Sequence, residues 1–212
     1  MADQRVNDVG APGQGPGGEG ERGGLAWVVT EVAAPQYVAI ALPPVTGLLA
    51  HGWTGAMWGL LAAALCAGVP VGVIAVGVRR GRLDSMHLVD RKSRRGPMLA
   101  GLITVAVGLV LLALLDAPAI VTATAAVMLG WVLVMGSITM WWKISFHTGV
   151  AAGAAVVLAH VLPAAATLAV GAALVGVIGW ARVRVSHHTP TQTIAGAAAG
   201  AGVAWAVLTL TL

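Results

Sequence analysis

Charged residues are scarce in this chain of 212 residues. Lys, Arg, Asp and Glu make up 9% of it and hydrophobic residues 58%, whereas a soluble domain carries about 25% charged residues. This composition excludes an ordinary soluble protein. It favours a protein embedded in the membrane, and we expect no nucleic-acid partner.

Cysteine is almost absent as well. Cys66 is the single cysteine and lies inside an apolar run, so no disulfide can form within the chain. We interpret Cys66 as a small buried hydrophobic residue.

Long apolar runs are abundant instead. Runs of about 20 apolar residues can cross a bilayer, and they do so as helices because lipid offers the backbone no hydrogen-bonding partner. The sequence therefore predicts an all-α fold, a polytopic transmembrane helix bundle with six to seven membrane segments. The fifth and sixth segments are short for a full crossing. The predicted segments are 27–50, 53–78, 98–115, 118–142, 147–162, 163–182 and 192–212.

The N-terminal residues have a different composition. Residues 1–24 are rich in Gly, Pro and charge and poor in apolar side chains, which is typical of a disordered tail. Residues 25–212 form the predicted membrane domain. Ala and Gly dominate its apolar segments, which suits close helix packing in lipid. Such small-residue surfaces permit a homo-oligomer but do not require one.

The basic residues fall on one side of the predicted membrane. With seven crossings, the N-terminal tail shares one face with three polar segments: the first (79–97), the second (141–148) and the third (180–196). The positive-inside rule makes this face cytoplasmic, in a multi-pass protein of the cell membrane. All twelve Lys and Arg residues lie there: Arg5, Arg22, Arg79, Arg80, Arg82, Arg91, Lys92, Arg94, Arg95, Lys143, Arg182 and Arg184.

The polar segments carry side chains suited to a phosphate ester. Arg and Lys match a phosphate by charge, and Arg also by bidentate geometry. Two histidines can divide the displacement, one attacking phosphorus and the other protonating the leaving oxygen. His188 and Gln192 are four residues apart, so a helical turn would bring their side chains together. Arg182, six residues before His188, could hold the phosphate that His188 attacks.

The order and spacing of these residues resemble the type 2 phosphatidic acid phosphatase superfamily. Its third signature is Ser-Arg, five residues, His, three residues and Asp, which is similar to Ala181-Arg182, His188 and Gln192. Its second, Pro-Ser-Gly-His, corresponds to "ISFH" at 144–147, and its first should lie in "HLVDRKSRRGP". The chain resembles a divergent bacterial member over roughly residues 28–212.

This resemblance implies a metal-independent lipid phosphatase without a cofactor. His188 would be the nucleophile that forms a phosphohistidine, and His147 would be the general acid. Arg182, Ser145 and basic residues of the first polar segment would bind the phosphate. A metal site built from His147 with His187 or His188 is a competing interpretation, but it lacks a Cys or carboxylate ligand.

The first polar segment departs from the family's pattern. The family's first signature is Lys, six residues and Arg-Pro. This segment has no Lys or Arg followed seven residues later by Arg. We therefore name Arg91, Arg94 and Arg95 as phosphate ligands without assigning the family's individual roles to them. Lys143 could supply a substitute cation beside Ser145.

Two further departures concern the other signatures. Phe146 replaces a glycine, which puts close backbone approach to phosphate in doubt. Gln192 replaces an acid, so it can accept the Nδ1 proton of His188 but cannot stabilise a cationic imidazole as a carboxylate would. Such an enzyme could be slow, specialised or inactive.

We expect hydrolysis of a phosphate monoester or diphosphate on a lipid chain at the cytoplasmic interface. Isoprenyl phosphates or diphosphates and phosphatidate-like lipids both fit, and a cytosolic site favours isoprenyl diphosphates. One alternative is a catalytically weak or inactive lipid-phosphate-binding protein, which Phe146 and Gln192 favour. Another is an anionic-lipid transporter, although the sequence shows no internal repeat of the kind many transporters have. A third is phosphoryl transfer to an alcohol other than water.

Overall fold

The computed structural model describes residues 24–80 and 95–212. The predicted disordered tail (1–24) lies outside these residues except for Gly24. Arg91 and Arg94 also lie outside them. Arg95 is the first residue of a helix, but its side chain is not among the described ones.

Helices joined by short turns make up the described part, which contains no strand. The prediction of an all-α protein is confirmed for these residues. The helices are α1 (Leu25–Val32), α2 (Pro35–Ala63), a π-helical turn (Ala64–Gly68), α3 (Val69–Arg79), α4 (Arg95–Leu114), α5 (Ala119–Trp141), α6 (Phe146–Leu158), α7 (Ala164–Arg184) and α8 (Pro190–Thr211).

Within the described residues, four helical stretches are long and apolar enough to cross a membrane. Their length and composition support an integral membrane protein. The stretches are Pro35–Arg79, Ala119–Trp141, Ala164–Arg184 and Pro190–Thr211.

The first of these stretches reverses direction inside α2. The backbone leaves helical geometry at His51 (φ −136°, ψ 17°) and at Gly52 (φ 62°, ψ −149°), and the second conformation is open essentially to glycine alone. Without this turn, the 45 residues of Pro35–Arg79 would extend about 68 Å, more than twice the ~30 Å hydrocarbon core. The predicted break between residues 50 and 53 is therefore confirmed.

The two arms of this hairpin pack backbone against backbone. Gly47 lies against Gly55, and Gly59 lies against the main chain of Pro43. Higher residue numbers in the first arm pair with lower residue numbers in the second, so the two arms are antiparallel. Because these glycines carry no side chain, the helix axes can approach closely, as in other membrane helix pairs.

Two predicted segments differ from the observed helices. The segment 27–50 is divided, because Pro35 starts a new helix and holds Ala34 in an extended conformation (φ −62°, ψ 136°), as a residue before proline prefers. The segment 147–162 contains only the 13-residue helix α6. That helix is about 20 Å long, which is too short for a full crossing.

A seam of glycines joins α6 and α8. A Cβ atom added at Gly153 would meet the carbonyl oxygen of Gly200, and one added at Gly149 would meet that of Gly196. Each helix thus places two glycines four residues apart on the contacting face. The indole N–H of Trp131, on α5, donates to the Gly200 carbonyl at 3.1 Å. The residue numbers of the contacting glycines rise together along the two helices. Helices α6 and α8 are therefore parallel and begin at the same end of the bundle.

Candidate active site

The second and third polar segments meet where α6 and α8 begin. The backbone N–H of Ser145 donates to the carbonyl oxygen of Gln192 at 3.2 Å. One turn further along, the hydroxyl of Thr148 donates to the carbonyl oxygen of Thr193 at 2.8 Å. These bonds tie the residue before α6 to the first turn of α8, so side chains of both segments share one site.

A tight turn after α7 positions the third polar segment. Ser186 adopts a left-handed conformation (φ 56°), which ends the helix as a residue after a C-cap commonly does. The carbonyl oxygen of Arg182 accepts the backbone N–H groups of both His187 (3.1 Å) and His188 (3.2 Å). Thr189 then caps α8 in a capping box. The turn is thus held at both ends, and His188 stands between Arg182 and α8.

Gln192 fixes the tautomer of His188. The side-chain carbonyl oxygen of Gln192 accepts the backbone N–H of Thr189 at 3.1 Å, which identifies that atom as the oxygen of the amide. The same oxygen lies 3.2 Å from Nδ1 of His188. An acceptor on Gln192 requires a donor on His188, so Nδ1 carries the proton and Nε2 carries the lone pair. The two side chains meet, as their spacing predicts.

The surroundings of His188 keep its ring neutral. Burial, followed by the positive charges of Arg182 and Lys143, lowers its pKa to about 4, while the hydrogen bond to Gln192 opposes them. At neutral pH the lone pair on Nε2 is therefore available. A neutral imidazole with one nitrogen held and the other free is the form that acts as a nucleophile.

Two buried polar groups beside this histidine suit an anion. Ser145 is fully buried and Arg182 is 7% exposed. Among the described residues, the hydroxyl oxygen of Ser145 and Nε of Arg182 have no hydrogen-bond partner. Burying such groups unsatisfied costs about 1–3 kcal/mol each. A bound anion with several acceptor oxygens would satisfy both.

No protein-family model matches the chain, and no curated protein or solved structure does either. The geometry of the site and the motif resemblance are therefore what support a function.

The remaining residues of the second polar segment surround Ser145. His147 is buried in the first turn of α6. Lys143 is exposed in the link before α6, and Phe146 is half-buried. The predicted site residues of this segment thus lie at or within a few residues of the hydrogen bond from Ser145 to Gln192; they are Lys143, Ser145 and His147.

Part of the first polar segment reaches the same end of the bundle. Helix α4 begins at Arg95, and Leu99 and Leu102 share a groove with Met140 near the end of α5. The start of α4 therefore lies beside the end of α5, where Lys143 follows. The placements of Arg91 and Arg94 lie outside the described residues.

His51 and His160 stand apart from this constellation, whereas His187 is the chain neighbour of His188. His87 lies outside the described residues. His187 is exposed on the turn, and His51 lies at the hairpin break in α2. His160 is exposed, with Nδ1 3.0 Å from the carbonyl oxygen of Val156. Within residues 24–80 and 95–212 there is no group of three His, Cys, Asp or Glu side chains placed to hold a metal ion.

Sequence reasoning missed two features of the site. Gly196 packs against the carbonyl of Ser145, and the four-residue glycine spacing on both helices was the signal that could have revealed it. The other feature is the packing of α1 on α7, the helix whose last turn carries Arg182. These two helices are far apart in the chain, and no local pattern links them.

Proposed function

We propose that this protein is an integral membrane lipid phosphatase that works through a phosphohistidine, as the resemblance to the type 2 phosphatidic acid phosphatase superfamily implies. One observation carries the proposal. His188 has Nδ1 held by Gln192 at 3.2 Å and a free Nε2, and it stands beside buried donors on Ser145 and Arg182.

The proposed reaction has two displacements. In the first, Nε2 of His188 attacks phosphorus while Arg182 and Ser145 hold the non-bridging oxygens. The bond to the leaving oxygen breaks, and His147 donates its proton to that oxygen. In the second, water attacks the phosphohistidine and gives a proton back to His147. Inorganic phosphate leaves, and His188 is regenerated.

Gln192 sets a limit on the rate of this reaction. When Nε2 bonds to phosphorus, the ring of His188 becomes positively charged. The amide of Gln192 accepts the Nδ1 proton but offers no negative charge, a loss worth about 4 orders of magnitude in rate by analogy with triad mutants. We therefore expect slow turnover compared with a site that has an acid here.

The proposal places seven membrane segments in the bilayer, of which α6 is too short to cross it fully, with the site at the cytoplasmic interface. The one-sided distribution of all twelve Lys and Arg residues supports this orientation. Between α4 and α5, an apolar groove of about 270 Å³ is lined by residues such as Leu102, Leu133 and Met140. It runs toward the end where Lys143 lies, which supports a substrate with a hydrocarbon chain. A cytosolic site favours isoprenyl diphosphates.

Phosphate release tests this function. The purified protein in detergent would be given farnesyl diphosphate, undecaprenyl diphosphate and phosphatidate in parallel, with chelator present. His188→Ala and His147→Ala should abolish release. His187→Ala is the matched control, since His187 is the exposed neighbour, and it should keep activity. Release that persists in His188→Ala would contradict the mechanism.

A lipid-phosphate-binding protein without turnover is the second candidate. Gln192 in place of an acid and Phe146 in place of a glycine favour it. In that case the folded protein would bind inorganic phosphate in a manner that depends on Arg182, and it would release no phosphate from any of the three lipids.

A further inference from the structure

Thr148 lies in the first turn of α6, about one turn beyond Ser145. It is 1% exposed, although it carries a hydroxyl group. That hydroxyl donates to the main-chain carbonyl oxygen of Thr193, on α8, at 2.8 Å, and it lies 3.3 Å from the carbonyl oxygen of Ser145. The proposed reaction does not use this buried polar group.

The bond from Thr148 is one of two that join the start of α6 to the first turn of α8. The other runs from the backbone N–H of Ser145 to the carbonyl oxygen of Gln192 at 3.2 Å. A single bond leaves two helices free to rotate about it, whereas two bonds to consecutive carbonyl groups also fix their orientation. Gly196 leaves room for both bonds, because a Cβ atom there would meet the Ser145 carbonyl and the Thr148 hydroxyl.

The third helix of the candidate site also reaches Thr148. A Cβ atom added at Gly179, on α7, would lie 3.7 Å from the methyl carbon of Thr148 and 3.7 Å from the side chain of Thr193. Gly179 comes one turn before Arg182 on the same helix. Helices α6, α7 and α8 therefore converge on Thr148 and Thr193, directly below the side chains of the site.

We propose that Thr148 is a positioning residue. It holds the phosphate-binding side chains of Ser145 and Arg182 in register with His188, and it rests on the proposed function in taking His188 as the nucleophile. The phosphate is held by α6 and α7, whereas the attacking ring is fixed against α8. A displacement of about 1 Å between reacting atoms costs about 100-fold in rate. Loss of the Thr148 hydroxyl therefore lowers kcat more than it raises KM.

Thr148→Val tests the proposal, because it removes the hydroxyl and keeps the shape of the side chain. The full chain in detergent would be given whichever of the three lipids the wild type hydrolyses fastest. We expect kcat to fall about 10- to 100-fold, with a much smaller change in KM. Thr148→Ser, which keeps the hydroxyl, should restore most of the rate.

Thr124→Val is the matched control. Thr124 is also fully buried, and its hydroxyl donates to the carbonyl oxygen of Ile120 at 2.7 Å. It lies about 25 Å from the end of α5 that leads to the site. Thr124→Val should therefore lower the midpoint of thermal unfolding without a comparable fall in kcat.

A second measurement does not depend on turnover. Orthovanadate adopts the five-coordinate geometry of the displacement, so its binding requires the phosphate ligands and His188 to be in register, whereas inorganic phosphate requires the ligands alone. Thr148→Val should weaken the binding of orthovanadate about tenfold and that of inorganic phosphate less. Thr148→Ala removes the same hydroxyl should Thr148→Val not fold.

A folded Thr148→Val protein with the kcat and orthovanadate affinity of Thr124→Val overturns this inference alone. The same holds if Thr148→Ser is as slow as Thr148→Val, because the hydroxyl would then not be what matters. Wild-type protein that releases no phosphate and binds neither anion refutes the proposed function, and this inference with it. Wild-type protein that binds both anions without turnover leaves the orthovanadate comparison to decide the role of Thr148.

Discussion

At the scale of single residues, the protonation state of His188 follows from its neighbours. Burial and the charges of Arg182 and Lys143 disfavour the imidazolium, and the single opposing contact is the hydrogen bond to Gln192. Since Gln192 is uncharged, it aligns the ring without restoring the proton. The proposed nucleophile is thus unprotonated at neutral pH, but the charged state that would follow its attack lacks a negative partner.

The pH dependence of the protein should reflect this depressed pKa. The pKa of His188 is about 4 in the folded protein against 6.5 ordinarily, so the unfolded chain binds more protons between these values. The contribution of His188 to stability is therefore complete above pH 6.5 and is lost as the pH falls toward 4. We expect kcat/KM to fall only below about pH 5. An NMR titration of the ring, with His188→Gln for assignment, measures the pKa, and a midpoint near 6.5 would contradict this account.

Gln192→Glu should change both the pKa and the rate. The substitution keeps the length of the side chain and puts a negative charge beside Nδ1, so the pKa of His188 should rise by about 1–3 units. Turnover should increase about tenfold or more, because the carboxylate stabilises the imidazolium formed on attack. Gln192→Met, which removes the acceptor, should lower turnover. The measurement is the turnover of wild type, Gln192→Glu and Gln192→Met with one substrate. A Gln192→Glu enzyme slower than wild type would contradict the proposed role of Gln192.

At the scale of helices, the glycine seam between α6 and α8 sets the geometry of the site. The first turn of α8 and the residue before α6 are joined through Ser145 and Gln192. Gly196 and Gly200 hold the backbones close enough for that bond. A change deep in the seam is therefore transmitted to the site without touching any residue that would contact a phosphate.

Gly200→Ala should damage both stability and activity. Its Cβ would collide with the carbonyl of Gly149, and overpacking of this kind costs about 1–3 kcal/mol. Gly202→Ala is the matched control on the same helix, because a Cβ there meets nothing within 4 Å. The midpoint of thermal unfolding in detergent and the rate of phosphate release should both be lower for Gly200→Ala than for Gly202→Ala. Equal midpoints and rates would show that the seam does not position the site.

Helix-level features were largely predictable from the sequence. The apolar segments, the break at 50–53 and the convergence of the second and third polar segments follow from hydropathy and chain direction. The short α6 and the break before Pro35 were less visible, because apolar residues continue past the helix ends. The packing of α1 on α7 could not be predicted, since it depends on how a short helix docks on a distant one.

At the scale of the whole molecule, the distribution of charge predicts an orientation. The turn with Asp116 and the end of α7 should lie on opposite sides of the membrane, the latter in the cytoplasm. With a membrane-impermeant maleimide on intact cells, Asp116→Cys should be labelled and Arg184→Cys should not. The native Cys66 is buried and serves as the unlabelled background. Reversed labelling would place the site outside, and labelling of both would refute the topology.

The parallel run of α6 and α8 has an electrostatic consequence. Every helix carries a macrodipole equivalent to about half a positive charge at its N-terminus. Helices that start together present two such partial charges at one point, whereas an antiparallel pair would cancel them. The opposing C-terminal end of α7 is offset by Arg182 and Arg184 in its last turn. The peptide backbone itself therefore favours an anion between Ser145 and His188, and a residual preference for negative charge should survive the loss of any single cationic side chain.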